Sequence, residues 1–190
     1  MTEDPDAKIR ENAKQRIREL WDSEELKSGK DENIPLGHFS PQVIEVLHNE
    51  FGLNRINDQS QLNLKLTELH HIKLHHGELT ADQAAGLVDV FYNPDWIGYS
   101  SGERKGNVLR FLQENDSGDN IGVSIYGGKN NIGYVKTFYV ADSKDTLEKW
   151  KKSGIRLGPV ANSDYQLKKS NRPGANPALI GPSTMPLMVK

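Results

Sequence analysis

The chain contains no cysteine. That absence excludes a disulfide framework, a thiolate nucleophile and any zinc or iron–sulfur site with cysteine ligands, so packing alone must hold the fold. Long apolar runs are also missing: none approaches the roughly eighteen residues needed to span a bilayer. The opening segment MTEDPDAKIRENAK has neither a signal-peptide core nor a lipidation motif. The expected location is therefore cytoplasmic, in the producing cell or, after delivery, in the cytoplasm of a target cell, with no membrane partner. There is no internal repeat at solenoid spacing. What is present is a chain of 190 residues, 35% hydrophobic and 26% charged, which suits one core of ordinary size plus extensions.

The net charge of −2 conceals a division. Residues 1–100 carry 10 Lys and Arg against 18 Asp and Glu, whereas residues 101–190 carry 14 against 8. A basic second half is the electrostatic footprint of a protein that handles a phosphate backbone; a solvated basic surface has the same composition.

Periodicity divides the chain into three parts. Residues 1–33 read as a charged N-terminal helix and linker, with Ile9, Ala13, Ile17, Leu20 and Trp21 at helical spacing over residues 6–27. Residues 34–157 read as the main domain. In it Ser40 and Pro41 open a helix with Val43, Ile44 and Leu47 on its apolar face and Gly52 as its stop. Leu62 to Leu66 alternate as a strand. Thr67 then caps a helix of about ten residues closed by Gly77, with Leu69, Ile72 and Leu74 turned inward. Thr80 and Gln83 form a capping box ahead of Ala84, Leu87, Val88 and Phe91, ended by Asn93–Pro94. Runs at Trp96–Tyr99, Val108–Gln113, Ile121–Tyr126 and Ile132–Val140 read as antiparallel strands, joined by Ser-Gly-Asp-Asn and Gly-Gly-Lys-Asn-Asn turns. Asp142 or Ser143 caps a last helix, Lys144 to Lys152, ended by Gly154. Residues 158–190 read as a Pro-rich extended tail. Helices followed by a meander indicate an α+β domain, with N-terminal helices packed on one face of an antiparallel sheet.

Four of the six histidines, His70, His71, His75 and His76, crowd the segment HHIKLHHG. Histidine titrates near neutral pH and can give or take a proton, so a cluster placed on one helix is the first candidate for chemistry.

The order of IPLGHFS, the alternating strand, HIKLHHG, ELTADQ and NPDWI resembles the nuclease-like domains at the C-termini of phage Mu-F-type head proteins and phage polyvalent proteins. Those domains belong to the broad group named after barnase, EndoU, colicin ribonucleases and RelE. The resemblance runs from about Ile34 to Lys152. In that family a helix carries a His, four residues and then His-Gly, matched here by His71 and His76-Gly77. A late strand carries Thr, one residue and Tyr, matched by Thr137 and Tyr139. The resemblance implies a fold of that group and a metal-independent ribonuclease of toxin type, with RNA, including tRNA, as substrate and a cognate immunity protein as partner.

Such cleavage needs a base for the 2′-hydroxyl proton, an acid for the leaving 5′-oxygen, and donors or cations for the charge on phosphorus. His71 is the preferred acid/base. On a regular helix His75 shares its face, while His76 is turned about 140° away and reaches the same site only from a frayed last turn. His76 also reads as a C-terminal helix residue bonding free carbonyls. On the sheet, Arg110, Ser124, Lys136, Thr137 and Tyr139 are the polar or basic residues within apolar strands: Arg110, Ser124 and Lys136 are the candidate substrate contacts, and the resemblance favours Thr137 and Tyr139 as catalytic residues that donate to a phosphate or orient the histidine. Alternation places Thr137 and Tyr139 with Val135 on one face, and Lys136 with Phe138 on the other, unless a bulge intervenes. Tyr139 equally reads as a core aromatic with its hydroxyl at the rim, and Arg110 as a solubilising edge residue.

His71 and His75 have metal-ligand spacing, but Ile72 stands where a zinc protease has Glu, and only Glu78 or Asp82 offers a third ligand. The reading assigns no metal and no cofactor. Two classes of function follow: a toxin-type ribonuclease, or a non-catalytic phage or mobile-element protein that keeps the fold to bind nucleic acid or a host protein.

Overall fold

The structure, a computed structural model, describes residues 4–99, 108–116, 118–126, 132–141 and 144–157. The Gly-Gly-Lys-Asn-Asn turn, the capping position at Asp142 or Ser143 and the tail from Gly158 lie outside these residues.

Helix α1, Ala7–Trp21, buries Ala13, Ile17, Leu20 and Trp21 along one stripe. It ends well short of the expected residue 27. Leu26 stands six residues after Leu20, so a continuing helix would turn it away from that stripe. Instead Ser23 is extended, and a short 3-10 helix, Glu24–Lys27, brings Leu26 back into the core.

Strand β1, Asn33–His38, is an element that periodicity did not reveal, because Pro35 interrupts it. Proline is tolerated there because β1 is an outer strand of the sheet. Helix α2, Pro41–Phe51, follows as expected: the Ser40 hydroxyl accepts from the Val43 N–H, and Gly52 closes the helix at a φ of 65°. Val46 is buried on it, whereas Ile44 is only half-buried. Strand β2 is Gln61–Lys65, and helix α3, Leu66–His75, starts directly from it. Thr67 is therefore inside the helix rather than its cap, since the buried Leu66 is already helical. Leu69 and Ile72 face inward, but Leu74 is 70% exposed, because it lies off the stripe that Leu69 and Ile72 define.

The Thr80–Gln83 capping box is formed. The helix it opens is split at Gly86 into α4, Ala81–Ala85, and α5, Leu87–Tyr92. Strands β3 (Trp96–Tyr99), β4 (Val108–Gln113), β5 (Asp119–Tyr126) and β6 (Ile132–Ala141) match the expected runs closely. Asp119 and Asn120, read as turn residues, instead pair with β6 as the start of β5. Helix α6, Lys144–Ser153, and the short β7, Ile155–Arg156, complete the described chain.

The protein is α+β, with one seven-stranded sheet in the order β1-β2-β6-β5-β4-β3-β7. The pairing of β2 with β6 is parallel and the others are antiparallel. Along β4, Leu109 and Phe111 join a large core with α1 to α5, while Val108 and Leu112 join a smaller one with Leu147 and Trp150 of α6. Alternate residues of a strand lie on opposite faces, so helices cover both sides of the sheet rather than one. Residues 1–33 share the larger core through Ala13, Ile17, Leu20, Trp21 and Leu26.

Candidate active site at the junction of α3 and β6

Strand β2 pairs with β6 only over Ile132 to Tyr134. Beyond that point α3 packs beside β6, which brings the histidine cluster to the sheet. His76 takes the C-cap position of α3, its N–H bonded to the Ile72 carbonyl at 2.8 Å. From there its ring stacks on Tyr139, with centroids 5.5 Å apart and planes at 22°. Its Nδ1 lies 3.6 Å from Glu78. His71 and His75 form a separate, solvent-facing pair with ring centroids 4.3 Å apart. The break in helical geometry at residue 76 thus brings His76, not His71, against the strand.

The strand itself is bulged. Val123 pairs with Thr137 and Ser124 with Val135, which leaves Lys136 without a cross-strand partner. Val135 and Phe138, three residues apart, are consequently both in the larger core, which unbroken alternation forbids. Thr137 and Tyr139 share a face, as expected. Val135 does not share it, because the extra residue inverts the alternation. Lys136 moves to the side of Thr137 and Tyr139 and is exposed.

Arg110 pairs with Val123, which pairs with Thr137, so these three form a row across the face that α6 covers. Arg110 and Thr137 are two strand spacings apart, roughly 10 Å. The Arg110 guanidinium lies 5.8 Å from the Trp150 ring, and its Nε is buried without a hydrogen-bond partner among the described residues. Nearby on that face, Lys151 and Arg156 flank Trp96, and Lys151 bonds Glu114 at 2.6 Å. Lys151 holds the Glu114 carboxyl below its ordinary range even though burial alone would raise it. Ser124 stands apart from the other candidates: it is completely buried beside Leu109 and Val135 on the opposite face. Its Oγ has no partner among the described residues.

Of the sequence candidates, the fold therefore gathers His76, Lys136, Thr137 and Tyr139, with Arg110 two strands away. His71 faces solvent at the outer surface of α3, and Ser124 lies inside the core. Among the described residues no group of three or more His, Asp or Glu side chains is placed to hold a metal ion, and no helix is long and apolar enough to cross a membrane.

A fifth histidine, outside the cluster, also has a built environment. His38, at the end of β1, donates from its ring Nδ1 to the buried Asp6 at 2.7 Å. The two residues are 32 positions apart, and only the place of His38 in the segment Ile34-Pro35-Leu36-Gly37-His38 hinted at an ordered setting. Compared with protein-family models, curated proteins and solved structures, the chain finds no match.

Proposed function

We propose that the chain is a metal-independent ribonuclease of toxin type, working where α3 meets β6. The observation that supports this reading is the His76 ring stacked on Tyr139, on the side of a bulged strand that also carries Lys136 and Thr137.

In this reading His76 exchanges the proton. It takes the 2′-hydroxyl proton as the 2′-oxygen attacks phosphorus, or supplies the proton that the departing 5′-oxygen needs. Tyr139 fixes the plane of the imidazole, Thr137 donates to a phosphate oxygen, and Lys136 offsets charge that grows on phosphorus. His71 is the second acid/base candidate, one helical turn and a C-cap away from His76. Arg110, whose charge lies under Trp150, contributes to the field that holds the RNA backbone. The fine fold of the barnase and EndoU group, RNA or tRNA as substrate, an immunity protein as partner and action in the cytoplasm of a producing or target cell belong to the same proposal.

A second reading, binding without cleavage, is favoured by one feature: His71, the second acid/base candidate, faces solvent beside His75 and stands apart from the His76–Tyr139 stack. The two separate in one experiment. Purified protein is incubated with total RNA and with tRNA in excess chelator, beside His76→Ala and His71→Ala, and the fragments and their end groups are read. Fragments with 2′,3′-cyclic phosphate ends, lost in His76→Ala, support the ribonuclease. Intact RNA retained in a salt-sensitive complex supports the binding protein.

A further inference from the structure

Far from the histidine cluster, a cleft of about 600 Å³ opens between the start of α1, the end of β1 and the outer face of α2. That volume lies in the range of sites that hold small organic molecules. Phe39, Pro41 and Ile44 supply apolar wall.

The titratable side chains of the lining share one character, which follows from where their protons are. Asp6 is buried, and its Oδ2 accepts from both the backbone N–H and the ring Nδ1 of His38, each at 2.7 Å. A carboxylate can only accept, so Nδ1 carries the proton, and in the neutral ring Nε2 is an acceptor. Gly37 permits this approach: at a φ of 90°, a Cβ there would stand 3.1 Å from the Asp6 carboxylate. His48 donates through Nε2 to the Ile56 carbonyl, which leaves Nδ1 as its acceptor. Asp4 is occupied within the protein by Arg10 and by the Tyr92 hydroxyl, and Arg10 holds its carboxyl below the ordinary range. Glu45 and Asp58, both exposed, line the cleft; among the described residues neither has an ion-pair partner and no Lys or Arg is part of the lining. In their neutral forms the imidazoles accept, the free carboxylates are negative, the amides of Asn49 and Asn57 carry no charge, and the wall is apolar. An anion is repelled here, and a phosphate backbone with it.

We propose that this cleft binds a small organic amine. Its ammonium group is held among the His38 and His48 acceptors and the carboxylates of Glu45 and Asp58, and its apolar body lies against Phe39, Pro41 and Ile44. The buried Asp6 fixes the His38 ring in the accepting tautomer, so the site is built before the ligand arrives. The proposal stands independently of RNA cleavage, whose presence or loss leaves it untouched.

The test uses the full chain and three probes of nearly equal shape: 3-phenylpropylamine, the neutral 3-phenylpropanol and the anionic 3-phenylpropionate, each titrated by NMR at neutral pH. The amine is expected to shift resonances of Ile44, His48 and Tyr92 and to bind about tenfold or more tighter than the alcohol, with the anion weakest. The double variant Glu45→Gln/Asp58→Asn changes two exposed side chains and keeps the fold; it is expected to bring the amine close to the alcohol. Equal binding of amine and alcohol by the wild-type chain, shifts located elsewhere, or no binding of any probe would each overturn the proposal.

Discussion

The His76 imidazole stacks on the Tyr139 ring at 5.5 Å with the planes 22° apart, and this contact ties the end of α3 to the second half of β6. The two elements also share the larger core, through Leu69 and Ile72 on α3 and Val135 and Phe138 on β6. If His76 exchanges the proton, His76→Ala lowers the rate of RNA cleavage by about 100-fold or more. Tyr139→Phe keeps the stacked ring and most of the rate, whereas Tyr139→Ala loses much of it. Initial rates on a defined RNA distinguish the three.

Inward and outward residues of α3 make opposite predictions. Leu69 is completely buried, and Leu69→Ala is expected to cost about 2–5 kcal/mol. Leu74 is 70% exposed, so Leu74→Lys should change stability by no more than about 0.5 kcal/mol. Urea unfolding followed by circular dichroism measures both.

Gly122 faces the ring of Phe91, and a Cβ at that position would stand 2.6 Å from its Cζ. Gly122→Ala is expected to destabilise by about 1–3 kcal/mol through overpacking. Phe91→Leu shortens the opposing side chain, so the double variant should lose less than the sum of the two single losses. A double-mutant cycle in urea reads the difference.

Arg16 bonds Glu25 and Glu32 at 2.9 Å each and so pins the 3-10 helix and the approach to β1 onto α1. Hydrogen bonds from Arg16 hold both glutamates below the ordinary carboxylate value. A carboxyl lowered in the folded state stabilises fully above its unfolded pKa and loses that contribution as pH falls through the folded one. The melting temperature of the wild type should therefore fall more steeply than that of Arg16→Gln from about pH 5 to pH 3. Thermal scans across that range, with salt reducing the difference, check the sign.

Local signals carried much of this fold. Ser40, Pro41 and Gly52 bound α2 through interactions within one or two turns, as do Thr80 and Gln83 at α4. The four central strands stood out because β-branched and aromatic residues recur in short runs between turns. What escaped is non-local. Pro35 hid β1, whose place at the margin makes proline acceptable only once the sheet is known. The bulge at Lys136 is set by pairing with β5, so alternation counted along β6 alone put Val135 on the wrong face. In the candidate site, the residue types in the histidine cluster and on β6 were visible, but the choice between His71 and His76 rests on the geometry of one C-cap. Asp6 and His38 meet across 32 residues, a distance no periodicity spans.

The margins of the sheet bear on how copies of the chain meet at high concentration. At one side Pro35 offers no N–H, and the register shift between Pro35 and Gly37 kinks the strand. At the other, β7 is two residues long, and past it the Trp150 indole donates to the Tyr99 carbonyl that a further strand would need. Among the described residues neither margin offers a straight ladder for a neighbouring molecule to extend, so a seven-stranded sheet rich in apolar runs carries its own barrier to edge-to-edge aggregation.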